Sequence, residues 1–529
     1  MIQRSYDKII SFRIFLVFAI VVIALLAAIA TDGARRGMTS AFPNLSVNFE
    51  SLAVAISELD YGTTGIVGLQ DVDDMLKKAG MIPNIDGNPL LHKLTQNPVA
   101  FDALLAKAAH LQHIDRTKIM IIHEMETGMA DYYELAMILF GHHVDGFYWL
   151  WFGIICFVSL CFLSIFWRRP VLIFPAIIYL VALFLSTHHI DPNYLQLASP
   201  TNDRFFPFTS FYLILFILVL AASAPAWKWI EVFSATVCGL LYVMLVNARS
   251  DALWQFGAPI GVLIAAVLVR IFPVLQLAWG GRTLSRYALW PLVVFSLATG
   301  AGIAIHHLRQ NHTAYAQTTF LGHPFWPIIL YAEAETYPRL ELTKILKEAG
   351  IAKYKNEDDF VNALSDLEIK KLHEKFSDYS INGMWIGSKW DRLCRQIVFD
   401  QWREHPLVML SAYENAFSIL GYEFRTFFLT WGMALLMIPS AFLGWLASCS
   451  KVESLGPLIP ALMIFAPLGG VATLLAPVVE SFHHYYANSD YILPPLVLLV
   501  IITSLAFNFL ARHQNLWIPT RGSGGAPSE

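Results

Sequence analysis

Apolar runs of about 20 residues, each long enough to cross a bilayer as a helix, punctuate this chain. They fall near 11–31, 147–167, 171–187, 207–226, 229–248, 252–270, 287–307, 426–447, 457–479 and 491–511, which predicts ten membrane-spanning helices. Two long polar stretches interrupt the series. The first begins with Asp32 directly after the first run, passes Gly- and Asn-rich turns at Tyr61-Gly62 and Asn84 to Pro89, and holds a helical stretch around 97–113. Its last part, Asp131 to Gly141, sets apolar residues at helical spacing beside acidic ones and predicts an amphipathic helix lying along the membrane surface. The second stretch leaves the seventh run at His306-His307, turns at Leu321 to Pro327, gathers charged helical segments at 339–376 and returns through Trp390 to Leu420.

The pattern therefore predicts an all-α polytopic integral membrane protein of about ten transmembrane helices with two large extracytoplasmic helical loops. Its parts are an anchor helix at 1–31, a first loop domain at 32–146, helices two to seven within 147–307, a second loop domain at 308–425, helices eight to ten within 426–511, and a tail at 512–529. Composition agrees with the pattern. Hydrophobic residues make up 56% and charged residues 14%, and mean hydropathy is +0.53, values outside the range of a soluble domain. A net charge of −4 offers no electrostatic footprint for nucleic acid. The chain also has no nucleotide-binding loop, no dinucleotide glycine pattern and no short-period repeat.

Charge orients the helices. Arg4, Lys8 and Arg13 precede the first run, and Arg168-Arg169, Lys228, Arg282, Arg286, Lys451, Arg512 and Arg521 all fall on the same side, against Arg204 and Arg249 in the short connections opposite. The positive-inside rule then makes both termini cytoplasmic, in a plasma or inner membrane, and the two long stretches extracytoplasmic. The first run lacks a small-residue cleavage site and reads as a retained anchor. Of the five cysteines, Cys156, Cys161 and Cys238 fall in apolar runs, Cys449 is placed in the cytoplasm and Cys394 in the second loop, so core packing is the expected role.

Eight of the 17 histidines stand as four doublets, His142-His143, His188-His189, His306-His307 and His483-His484, where composition alone predicts about half of one. Each lies at the outer end of a predicted helix. Neighbouring imidazoles on a helix point about 100° apart, so a doublet rarely gives both ligands to one ion, although one histidine from each of several doublets could converge. His188 with Asp191 and His483 with Glu480 are the metal-ligand candidates, and a divalent metal ion, or haem, is the cofactor class such a site would take. The alternative is an interfacial role beside Tyr148, Trp149, Trp151, Tyr485 and Tyr486, which have the composition of an aromatic belt.

A first span followed at once by a large outer loop, the Tyr-rich helix from Tyr132 to Gly141, the Glu404-His-Pro406 segment ahead of Leu420, and the entry Asp490 to Pro495 into the last helix resemble the GT-C superfamily of lipid-linked-sugar membrane glycosyltransferases. The resemblance covers the layout of most of the chain but rests on about 35 residues of motif. It implies transfer of a sugar from a polyprenyl-phosphate donor at the extracytoplasmic face, with membrane lipid and the lipid-linked substrate as partners. The superfamily's paired acidic motif in the first loop is replaced here by a single Asp32, the next acidic clusters being Glu58-Leu-Asp60 and Asp71 to Asp74.

Such a transfer needs a carboxylate to deprotonate the acceptor or hold a metal, and donors to stabilise the departing phosphate. Asp32 and Asp60 are the carboxylate candidates. Arg204, Arg249, His306, His307 and Arg309 are the phosphate-binding candidates, all at predicted outer helix ends. Two other classes remain open: a transporter or flippase of a lipid or envelope-polymer intermediate, and a non-enzymatic envelope assembly factor. A transporter places ionisable groups or broken helices at mid-membrane. The spans hold almost none, though Pro467 and Gly469-Gly470 interrupt the ninth.

Overall fold

The computed structural model describes residues 2–36, 127–141, 144–188, 206–223, 227–248, 250–277 and 281–309, together with short pieces at 380–381, 384–385, 399–407, 410, 455, 458–465, 468, 497, 500–502 and 505. These residues are almost wholly helical. In chain order the helices are α1 (Ile2–Arg36), α2 (Thr127–Phe140), α3 (Val144–Phe166), α4 (Phe174–His188), α5 (Phe206–Ala222), α6 (Trp229–Ala248), α7 (Gly257–Ile271), the single turn α8 (Gly281–Leu284) and α9 (Trp290–Arg309). Tight 3-10 turns at Pro170–Ile173, Ser250–Phe256 and Pro273–Leu277 lead into or out of them. The exception is a two-residue antiparallel pairing of Ser380–Ile381 with Met384–Trp385.

Among the described residues, four segments are long and apolar enough to cross a membrane: Ser11–Thr31, Tyr148–Phe166, Trp229–Asn247 and Leu253–Ile271. They coincide with the predicted runs at 11–31, 147–167, 229–248 and 252–270. The last begins as 3-10 turn and becomes α-helical only at Gly257. The runs at 171–187, 207–226 and 287–307 appear as shorter apolar helices, Pro170–Phe184, Phe208–Ala222 and Trp290–His306. The predicted helix at 426–447 lies outside the described residues, and those at 457–479 and 491–511 are described only in fragments.

Side-chain contacts fix the direction of each helix. Ser11 Oγ donates to the Arg168 carbonyl at 3.3 Å, and Tyr148 OH donates to the Ile29 carbonyl at 2.9 Å, so α1 and α3 run antiparallel along their whole length. Trp151 Nε1 donates to Thr209 Oγ1, and the Phe166 ring meets the Phe216 ring farther along, so α3 and α5 run parallel. α6 and α9 are also parallel, because Gly239 abuts Ala298 while Gly302 abuts Val243.

The helix ending at Gly141, expected along the membrane surface, packs on two other helices. Gly141 adopts φ 76°, a left-handed C-terminal residue that glycine occupies without strain, and its N–H caps the Met137 carbonyl at 2.9 Å. The chain then reverses, and α2 folds back against α3 with its other flank on α6. At the corner a Cβ on Gly146 would stand 2.9 Å from Phe140 Cβ, so only glycine lets the two helices meet there. Tyr132 is fully buried and its ring lies 4.9 Å from that of Phe206, whereas Ile138, Leu139 and Phe140 face outward.

Candidate functional site

Contacts between helix ends sort the bundle into two faces. On one, Arg168 stands beside Ser11, Arg169 Nη1 donates to the Ser223 carbonyl at 2.6 Å, and the Ala288 N–H donates to the Ala221 carbonyl at 3.0 Å. Arg270 closes the same face by donating from Nε to the Ser285 carbonyl at 3.1 Å and from Nη2 to the Tyr287 carbonyl. Lys228 joins it at the start of α6, where Glu231 accepts from the Lys228 backbone N–H and offsets the helix's free amides. Among the described residues, the basic residues of the short connections, from Arg168 to Arg286, are therefore gathered at one end of the molecule.

The opposite face carries the predicted site residues that fall on described elements. Asp32 lies in the last turn but one of α1, three residues beyond the Ile29 carbonyl that Tyr148 holds, so α1 continues past it to Arg36 instead of ending there. His188 is the final residue of α4, and His306, His307 and Arg309 close α9. His306 is buried, with 7% exposure, while Ile305 and Leu308 on either side face outward. That ring is turned toward protein, which departs from the headgroup-facing role its helix-end position suggested. α1 packs on α3 and α4, whereas α9 packs on α6 and α5, so Asp32 and His306 share a face of the bundle without sharing partners.

Asp60, Arg204, Arg249, Asp191, Glu480 and His483 lie outside the described residues. Among the described residues no three of His, Cys, Asp and Glu converge as a metal-ligand group. The buried acidic, basic or imidazole side chains among them are Glu231 and His306, near opposite ends of the bundle. Cys161 and Cys238 are buried free thiols, as core packing requires.

Beneath the Asp32-bearing face lies a polar ladder that the sequence pattern did not single out. Trp151 Nε1 donates to Thr209 Oγ1 at 2.9 Å, Tyr179 OH donates to the Phe208 carbonyl at 3.2 Å, and Ser159 Oγ shares a proton with Tyr212 OH at 3.0 Å. The Tyr179 and Tyr212 rings stack at 4.0 Å with 6° between planes. Ser210 Oγ donates to Gln255 Oε1 at 2.7 Å one turn away, tying α5 to the entry of α7. Burial holds the Tyr132 phenol neutral, well above the usual tyrosine range, a shift only partly opposed by a hydrogen bond with the Trp151 backbone. The clue in the sequence was the presence of Trp151, Ser159, Tyr179, Thr209, Ser210 and Tyr212 inside apolar runs, where each must find a partner. What the arrangement offers chemically is neutral donors and acceptors; the groups able to move protons or bind phosphate lie above it at the helix ends.

No family model matches this chain, and neither the curated proteins nor the solved structures compared with it contain a match.

Proposed function

We propose that the chain is a polytopic membrane protein of about ten helices with cytoplasmic termini and two extracytoplasmic domains, 32–146 and 308–425, and that it transfers a sugar from a polyprenyl-phosphate-type donor at the extracytoplasmic face. The observation that carries this reading is the division of the bundle into a face that collects the short-connection cations and an opposite face that carries Asp32, His188 and the His306-His307 pair. By the positive-inside rule the second face is extracytoplasmic. In the proposed chemistry Asp32 or Asp60 deprotonates the acceptor, and Arg204, Arg249, His306, His307 and Arg309 stabilise the departing phosphate. The alternative, transport of a lipid or envelope-polymer intermediate, is disfavoured by the neutral character of the buried mid-bundle groups among the described residues.

The test uses purified full-length chain in proteoliposomes with a panel of polyprenyl-phosphate sugars and hydroxyl-bearing acceptors, and reads both free polyprenyl phosphate and movement of intact donor between leaflets. The expected result is release of polyprenyl phosphate, lowered about 10²- to 10⁴-fold by Asp32→Asn or Asp60→Asn. Leaflet exchange without cleavage would instead establish the transporter. Full release by both variants would remove the proposed carboxylates. Single cysteines placed near Asn88 and Lys353 in a Cys394-free background should react with an impermeant maleimide on intact cells; protection of either overturns the orientation.

A further inference from the structure

At the cation-rich face, the link between α7 and α9 is a folded element with an unusual division of its side chains. Gly281 at the start of α8 lies so close to the 3-10 turn Pro273–Leu277 that a Cβ there would meet the Leu275 carbonyl and the Gln276 Cα. Gln276 Nε2 donates back to the Val269 carbonyl at 3.2 Å, and Arg270 clasps the far side through the Ser285 and Tyr287 carbonyls. Tyr287 is buried and hydrogen-bonded with the Ala461 backbone. The link is thus pinned at both ends and its fold is set by backbone contacts.

From this frame two sets of side chains project. Phe272, Val274, Leu275 and Leu277 are exposed, Val274 at 76% and Leu277 at 79%, although they lie past the end of the Leu253–Ile271 span. Arg282 and Arg286 are exposed as well, four residues apart in the same link. Arg270, by contrast, is committed to backbone carbonyls, and Arg168 lies over the Trp167 ring at 4.6 Å. The Trp227 and Trp290 rings, 5.0 Å apart, flank the link at the start of α9, in the manner of side chains that settle at headgroup level.

An apolar row continuous with a membrane-crossing helix, beside exposed guanidinium groups and paired indoles, fits the boundary between acyl chains and an anionic headgroup layer. We infer that residues 272–277 and 281–286 form a lipid-binding clasp in which Val274, Leu275 and Leu277 enter the acyl boundary while Arg282 and Arg286 bind the phosphate of an acidic phospholipid. Guanidinium suits this role because its planar donors match phosphate oxygens two at a time. The inference does not rest on the transferase reading, since it requires only that α7 cross a membrane.

The experiment reconstitutes the full chain in vesicles of phosphatidylcholine and phosphatidylglycerol at a three-to-one ratio and measures, with spin-labelled lipids, the selectivity for phosphatidylglycerol over phosphatidylcholine. Each basic residue near an acidic surface contributes about fivefold to association, so Arg282→Gln with Arg286→Gln lowers the selectivity by roughly 25-fold at that site. Arg168→Gln, on the same face but outside the clasp, leaves most of it intact. The single variant Arg282→Gln lowers the selectivity by about fivefold, which keeps the test open if the arginine pair fails to express. Equal losses from Arg168→Gln and the clasp pair would show a diffuse charge effect and overturn the site; so would wild-type protein with no preference for phosphatidylglycerol.

Discussion

The α3–α4–α5 region and the α6–α9 crossing hold their helices together in different ways. In the first, bulky residues meet through polar atoms: Trp151 on Thr209, Ser159 on Tyr212, Tyr179 on the Phe208 carbonyl, with Phe162 and Phe216 filling between at 5.2 Å. In the second, small residues bring the two backbones close beside the Tyr242–Phe295 ring contact at 5.5 Å. A Cβ on Gly239 would stand 2.8 Å from both Ala298 Cβ and the Phe295 carbonyl oxygen, and one on Gly302 would stand 3.0 Å from Val243. A polar contact across this crossing is Thr299 Oγ1 reaching the Gly239 carbonyl at 3.5 Å, the long edge of a hydrogen bond. Lipid tails are as apolar as leucine, so apolar surface alone does not drive helices together in a bilayer. Directed hydrogen bonds or close backbone approach must do it, and this chain uses one in each region.

The comparison breaks most visibly at Trp151. Trp151→Ala opens a cavity at the α3–α5 contact and orphans Thr209, and costs about 3–5 kcal/mol in reversible unfolding of the full chain in mixed micelles. A loss under about 1 kcal/mol would show the ladder to be slack. Next comes Gly239→Ala, a single methyl group pressed against backbone atoms of α9, for which overpacking costs about 1–3 kcal/mol. An unchanged unfolding midpoint would mean that α6 and α9 are free to separate.

A finer measurement is the double-mutant cycle of Ser159→Ala with Tyr212→Phe, where a coupling of about 0.6 kcal/mol is expected from buried hydroxyl pairs between membrane helices. Additive losses would remove that bond from the account. The smallest effect belongs to Thr299→Val, which keeps the shape and deletes only the 3.5 Å contact; a change within about 0.5 kcal/mol fits a crossing held by backbone proximity. A cost larger than that of the Ser159–Tyr212 coupling would reverse the contrast between the two regions.

Much of this division was foreshadowed unevenly. Gly239 and Gly302 stand among larger residues with no periodic marker, and nothing in their order says that α6 and α9 run side by side in the same direction. The ladder hydroxyls were visible as polar residues in apolar runs, but Ser159 could have faced any neighbour. Of the candidate site, Asp32, His188, His306, His307 and Arg309 were legible because helix ends are legible; that His306 turns inward while Leu308 turns outward depends on which neighbour covers it.

The sequence by itself determined the apolar segments and their ends, since bilayer thickness sets segment length and every backbone polar group inside it must be paired within a helix. It also determined the placement of Arg168, Arg169, Lys228, Arg282 and Arg286 at one end, because alternate crossings carry alternate connections to opposite faces. Only the tertiary structure decided that α2 folds back between α3 and α6, that Trp151 meets Thr209, and that Gly281 locks a turn against Leu275. Those outcomes depend on side-chain volumes and hydrogen-bond geometry between segments distant in the chain, which no periodicity within one segment encodes.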